Sequence, residues 1–214
     1  GFSSGDLEKI KALDGIDNAA RYLSVNVDVR EKSGDSVALT VTDNEAVSGM
    51  IVIEGEPYDA ESEDGIWLSD RYANANDICI GDSLTFIYRN IEIHGTVTGL
   101  VKSGEHMICV RDETQLMPDF QTYGFAYISP VFYQNVIGFS FYPQINILSD
   151  LPKKDLVDLV DETLQETMLI LTKDENISYS GASGEIEEGK TMGAILPVLF
   201  LLIAVLTMVT TMHR

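Results

Sequence analysis

GIWLSDRYANANDICIGDSLTF, residues 65–86, alternates between structural types within a few residues. Ile66–Leu68 is an apolar run short enough to be a strand. Ser69 follows, a residue type whose hydroxyl accepts one of the orphan amides at a helix start, so a short helix is expected from Asp70. Gly81–Asp82 is a turn, and Ser83–Tyr88 returns to a strand. A helix wedged between two apolar strands argues for mixed helix and sheet.

On the N-terminal side, Ser3 and Asp6 have the spacing of a capping box, ahead of a helix with Leu7, Ile10 and Leu13 on its apolar face. Gly15 ends that helix. In YLSVNVDVR (22–30), Leu23, Val25, Val27 and Val29 alternate with Ser24, Asn26 and Asp28, the pattern of a half-buried strand. SVALTVT (36–42) repeats it after a turn at Ser33–Gly34–Asp35, and GMIVIEG (49–55) is a further strand. EPYDAESEDG (56–65) is an acidic loop.

On the C-terminal side, Arg89–Asn90 turns into a strand Ile91–Leu100, with Gly95 and Gly99 as bulge points. HMICVR (106–111), FAYIS (125–129) and INILSD (145–150) are expected strands. Pro152 opens a helix carrying Leu156, Val160, Leu164, Met168 and Leu171 on one face. ISYSG (177–181) is a last short strand. The ends of the chain read as an α/β layer, and residues 50–140 as a β-rich lobe inserted into it.

TMGAILPVLFLLIAVLTMVTTMHR closes the sequence, and Met192–Met212 is a run of 21 residues without a charge. At 1.5 Å per residue it reaches about 31 Å, the thickness of a bilayer's hydrocarbon core. A transmembrane helix over 192–212 is expected, with Met192, Pro197, Phe200 and Met212 along it; Pro197 would kink it without ending it. Arg214 follows the run and Glu185, Glu187 and Glu188 precede it, which places the preceding residues outside the cell by the positive-inside rule. An outside domain must also be delivered across the membrane, so an earlier span and further chain are expected beyond this sequence.

Composition limits the function. The chain carries 34 acidic and 14 basic side chains, a net charge of −20. That charge opposes nucleic acid and anionic lipid surfaces. No catalytic set emerges. GASGE (181–185) lacks the spacing of a nucleophile elbow. His94 and His106 lie in strand-like runs without ligand partners. Asp59, Glu61 and Glu63 have the first three spacings of a calcium loop, but Gly65 falls one position late and Asp70 holds the final position, so no metal is expected. NIS (176–178) matches a glycosylation acceptor, a frequent chance match. Cys79 and Cys109 sit in apolar runs and are expected to be buried free thiols, with a disulfide between them the alternative outside a cell.

Several of these stretches resemble one family. FSSGDLEKIKALDGIDNAARYLSVNV (2–27) is similar to the start of the extracellular region of FtsX-like ABC transporter permeases, the MacB-like periplasmic core domain. Residues 65–86 resemble that domain's most recognisable stretch through Ile66, Leu68, Ser69, Ala73, Gly81, Asp82 and Leu84. INILSDLPKKDLVDLV (145–160) and residues 189–214 resemble the later helix and the second membrane helix of such permeases, with Pro197, Thr210, Thr211, Met212 and Arg214 in familiar places. Some relatives carry a long coiled-coil insertion, which this chain lacks.

The resemblance implies an α+β MacB-like core over 1–185, with the β-rich lobe at 50–140. A stalk at 186–191 and the transmembrane helix at 192–212 would follow. It implies a non-enzymatic, cofactor-free extracellular domain on the cell membrane. Its partners would be a cytoplasmic ATPase subunit and a second FtsX-like module. ATP hydrolysis would reach it mechanically through the stalk, where Glu185, Glu188, Gly189 and Lys190 are the candidate residues. The alternative is a surface binding protein held by a single span.

Overall fold

A computed structural model describes residues 1–111, 115, 117–164, 171, 197 and 200. Residues 1–172 form one compact unit and 173–214 another; the elements that follow belong to the first. They are α1 (Ser4–Lys11), β1 (Ile16–Val29), β2 (Ser36–Thr42), β3 (Met50–Gly55), β4 (Gly65–Ser69), α2 (Asp70–Ala75), β5 (Ser83–Tyr88) and β6 (Ile91–Ser103). A 3-10 turn (Gly104–His106), β7 (Tyr123–Ile128), α3 (Pro130–Ile137), β8 (Gln144–Ser149) and α4 (Lys153–Leu164) complete them.

Local chemistry forms these elements where the sequence placed most of them. Ser3 Oγ accepts the Asp6 amide and the Asp6 carboxylate accepts the Ser3 amide, so the capping box of α1 is closed. Ser69 caps α2 through the Tyr72 amide. One helix goes beyond the sequence reading. Ser129 Oγ accepts the Phe132 amide at 2.8 Å, Pro130 occupies the first turn, and Gly138 stops α3 in the left-handed region at φ 83°.

All eight strands join one sheet, in the order β2-β7-β4-β6-β5-β1-β8, with β3 hydrogen-bonded to β6. β1 also pairs with β2, so the path from β2 through β5 and β1 returns to β2 and forms a ring. The strands of residues 50–140 are therefore continuous in hydrogen bonding with β1 and β2. The length of β1 makes this possible, since its 14 residues are enough for three partners.

The principal core lies on one face of the ring. Val27, Leu39, Ile66, Leu68, Phe86, Val97 and Ile128 pack there with Tyr72 of α2 and Phe132 of α3. On the opposite face Trp67, Val101, Phe125, Tyr127 and Cys109 form a second cluster. Two glycines of β6 permit close approaches. A Cβ on Gly95 would come within 2.5 Å of the Asp64 carbonyl, and one on Gly99 within 2.7 Å of the Trp67 ring. The β4–β6 register shifts beside Gly99, between Ile66 and Trp67, whereas β5–β6 pairing runs unbroken past Gly95. Gly95 is thus a close-packing position and not the expected bulge.

Other expectations are corrected. The HMICVR stretch is not a strand: the Ser103 hydroxyl accepts the Glu105 amide and folds Gly104–His106 into a 3-10 turn, followed by irregular chain. Cys79 is exposed on a turn held by the Asp82 carboxylate, and Cys109 is buried; both thiols are free. Among the described residues no helix is long and apolar enough to cross a membrane. The span at 192–212 lies outside them, except that Pro197 and Phe200 are helical and exposed.

Candidate functional site

The stalk residues Glu185, Glu188, Gly189 and Lys190 and the span residues Met192 and Met212 lie outside the described residues. What the structure places is the layer that carries both ends of the described domain. α1 and α4 touch there. Leu7 and Ile10 of α1 and Leu164 of α4 pack with Ala19 of β1 and with Ile145 and Ile147 of β8.

β1 leaves this layer and enters the ring. Ile16–Tyr22 pairs with β8, Tyr22–Asp28 with β2, and Asp28–Val29 with β5. At about 3.3 Å per residue such a strand extends roughly 45 Å. The change of partner falls at Tyr22, which faces Gln144 on one side and Thr42 on the other. Successive side chains of a strand point to opposite faces, so Arg21 and Tyr22 reach out on either side of this junction.

On the first face Arg21 is clamped. Its Nε donates to Asp43 Oδ2 at 2.9 Å and its Nη2 to Oδ1 at 2.8 Å, a bidentate pair. The two side chains are only 14% and 16% exposed. The hydrogen bond to Asp43 raises the Arg21 pKa above its ordinary value against the opposing effect of burial. The guanidinium lies 4.4 Å from the centre of the Tyr142 ring. The Tyr142 carbonyl in turn accepts the Phe2 amide, tying the N-terminal residues to the same point.

On the second face a carboxyl group is enclosed. Glu105 meets Tyr22 of β1, Tyr127 of β7 and Asn146 of β8. Asn146 Nδ2 donates to Glu105 Oε1 at 3.0 Å, and the Tyr127 hydroxyl lies 3.4 Å from Oε2. Ser48 Oγ is buried close by and makes no hydrogen bond within 3.5 Å. Burial is the main influence and pushes the Glu105 pKa up to about 7, against the lowering effect of these polar neighbours. His106 stacks on Phe125 with ring centroids 4.5 Å apart. Burial pulls its pKa down to about 4, so it is neutral and offers Glu105 no charge.

Sequence reading missed both halves of this junction. Arg21 and Asp43 are 22 positions apart, and Glu105 immediately precedes a stretch that reads as a strand. The motifs weighed for chemistry are not brought together. Asp59 Oδ1 accepts the Glu61 amide and so closes a local turn. His94 Nδ1 pairs with Thr85 Oγ1. Among the described residues no group of His, Cys, Asp and Glu could hold a metal ion.

No protein-family model and no curated protein sequence matches the chain. Solved structures do match. The extracellular domain of the noncanonic ABC-type transporter YknZ from Gram-positive bacteria is similar at a TM-score of 0.55 and 11% identity, over 78% of this chain and 86% of that one. The periplasmic region of MacB from Actinobacillus actinomycetemcomitans gives a TM-score of 0.48 at 14% identity, over 76% and 74%. A permease-protein domain from Porphyromonas gingivalis gives 0.44 at 9%, over 79% and 72%. At such identities the likeness is one of fold, and the first comparison carries it. The chain has the α+β fold of the extracellular ABC-transporter domain that YknZ carries.

Proposed function

We propose that this chain is the extracellular domain of an ABC transporter permease subunit, a non-catalytic part that couples cytoplasmic ATP hydrolysis to events outside the membrane. The shared fold is the observation that carries this reading. Residues 1–185 stand outside the cell, 186–191 form the stalk and 192–212 the transmembrane helix. ATP is hydrolysed by a separate subunit, and the domain works beside a second FtsX-like module.

The geometry supports one route of coupling. α1 and α4 bring the two ends of the described domain into one layer. β1 runs from that layer into the ring without interruption. A displacement applied near the chain ends is passed on by a strand clamped at Arg21, and not absorbed in a loop.

Purification of the tagged full-length protein from membranes tests the assignment. An ABC ATPase should be recovered with it in stoichiometric amount. Recovery of a protein with one span and no ATPase would favour the anchored surface binding protein. A flexible Gly-Ser linker inserted after Lys190 tests the coupling: ATPase binding and folding should persist while the transporter's output is lost. Output that survives a linker of several residues would remove the stalk from the mechanism.

A further inference from the structure

β3 stands apart from the ring. It pairs with β6 alone, and among the described residues no other strand or helix lies along it. The Met50 amide donates to the Glu45 carbonyl at 3.1 Å, in the turn that precedes the strand. Beyond the ladder to β6, the backbone of residues 51–54 has no hydrogen-bonded partner among the described residues. A free strand edge is a template for another strand. The side chains beside it are apolar and open to water: Ile51 is 63% and Ile53 52% exposed. Ile80, 39% exposed, extends the strip, since its Cδ1 lies 2.9 Å from where a Cβ on Gly55, the last residue of β3, would stand. Edges are commonly blunted by Lys, Pro, charge or a bulge. β3 holds neither Lys nor Pro; it has Glu54 and a register shift between Val52 and Glu54.

Charge decides which strand the edge can accept. Between Lys32 and Arg71 the chain has ten Asp and Glu residues and no Lys or Arg. Glu45, Glu54 and Glu56, on β3 and the chain next to it, are exposed. Lys102, which faces Ile51 across the ladder, is already paired, its Nζ 3.5 Å from Asp70 Oδ2. A second copy of the chain pairing edge to edge would bring two such sets of carboxylates together, and their repulsion opposes it. A strand that carries Lys or Arg meets attraction instead. The same charge that turns copies away from the open edge therefore favours a basic partner.

We propose that the free edge of β3 is a strand-addition site for an extended segment of a partner protein in which Lys or Arg alternates with aliphatic side chains. Backbone hydrogen bonds along residues 51–54 supply affinity, the partner's aliphatic side chains cover Ile51, Ile53 and Ile80, and its basic ones meet Glu54 and Glu56. The inference does not depend on the transporter assignment, because the edge and its charge belong to the described domain.

The probe is an end-blocked peptide of about eight residues alternating Lys and Val, the length of an ordinary strand. With the full-length chain in uncharged detergent it should bind, and amide hydrogen exchange should slow at residues 51–54. Two comparisons separate strand addition from plain attraction of charge. The same peptide N-methylated throughout keeps every charge but has no amide donors, and should bind about tenfold more weakly or worse. The chain carrying Ile51→Lys and Ile53→Lys, both exposed positions, should lose binding by a similar factor of about ten. The peptide comparison needs no variant, so it stands even where that chain folds poorly. Equal binding of the two peptides would overturn the proposal, as would exchange protection confined to other segments or no binding at about millimolar peptide. Dimerisation of the unaltered chain that the two Lys substitutions abolish would make a second copy the occupant and overturn it too.

Discussion

The ring interior and the β1 junction achieve order by different means. Inside the ring the side chains of Ile66, Leu68, Phe86, Val97 and Ile128 are almost wholly removed from water and pack against one another. At the junction the same strand is fixed by polar groups: a clamped guanidinium on one face and an enclosed carboxyl on the other. Apolar burial is insensitive to pH and indifferent to direction. Hydrogen-bonded charge is directional and can be switched. The difference teaches where a single fold keeps its stability and where it can be adjusted.

Perturbing the ring should give the largest effect. Phe86→Ala deletes a side chain with 0% exposure. It should cost about 3–5 kcal/mol in urea denaturation, at any pH at which the protein is folded. A loss under about 1 kcal/mol would mean that the interior is not the seat of stability.

The pH dependence sharpens the contrast. The Glu105 pKa is raised from 4.5 to about 7 in the folded state, so between these values the folded chain binds more protons than the unfolded one. Its contribution is therefore fully present below the unfolded pKa, is lost as pH rises through the folded pKa, and stays lost above it. The sign is opposite to that of a salt-bridged carboxylate. Glu105→Gln should relieve up to about 3 kcal/mol at alkaline pH and change little at acid pH. Wild type and variant melting curves that stay parallel from pH 5 to about 8 would count against the enclosed carboxyl.

Breaking the clamp should cost less. Asp43→Ala leaves Arg21 half-buried without its partner, a loss of about 2 kcal/mol. Hydrogen exchange should rise first at Phe2 and along Arg21–Thr42, and not in β4 or β7. Uniform acceleration throughout the sheet would mean that the junction and the ring unfold as one. The smallest effect is expected at the edge of the terminal layer. Ser3→Ala opens the exposed capping box of α1 and should cost about 1 kcal/mol, visible as a small shift in the melting midpoint.

Elements with a complete local signal were legible in the sequence. The alternation of Leu23, Val25, Val27 and Val29 identified the face of β1 that turns inward, and Ser69 marked the start of α2. The Ser129–Pro130 and Gly138 signals of α3 are equally local and were present in the sequence. Apolar runs without such signals misled: residues 106–111 looked like a strand because of Met107, Ile108 and Cys109. Of these only Cys109 is buried, against the outer face of the sheet, and Met107 is exposed. The Arg21–Asp43 clamp and the Glu105 enclosure had no local sign.

Although β2, which reads as half-buried, is buried on both faces, the sequence by itself determined the inward face of β1, the caps of α1 and α2, the acidic composition and the mixed helix and sheet character. Each depends on neighbours within a few residues, through a period of two, a capping hydroxyl or a count of charges. The tertiary structure alone decided the partners of each strand. An alternating pattern says which side chains turn inward but not which strand lies alongside, so the ring closed by β1 could not be read from it. It alone also decided that one glutamate among many charged residues would be enclosed. Desolvation of Glu105 requires Tyr22, Ser48, Tyr127 and Asn146 to converge from four distant parts of the chain, and only the closed sheet brings them together.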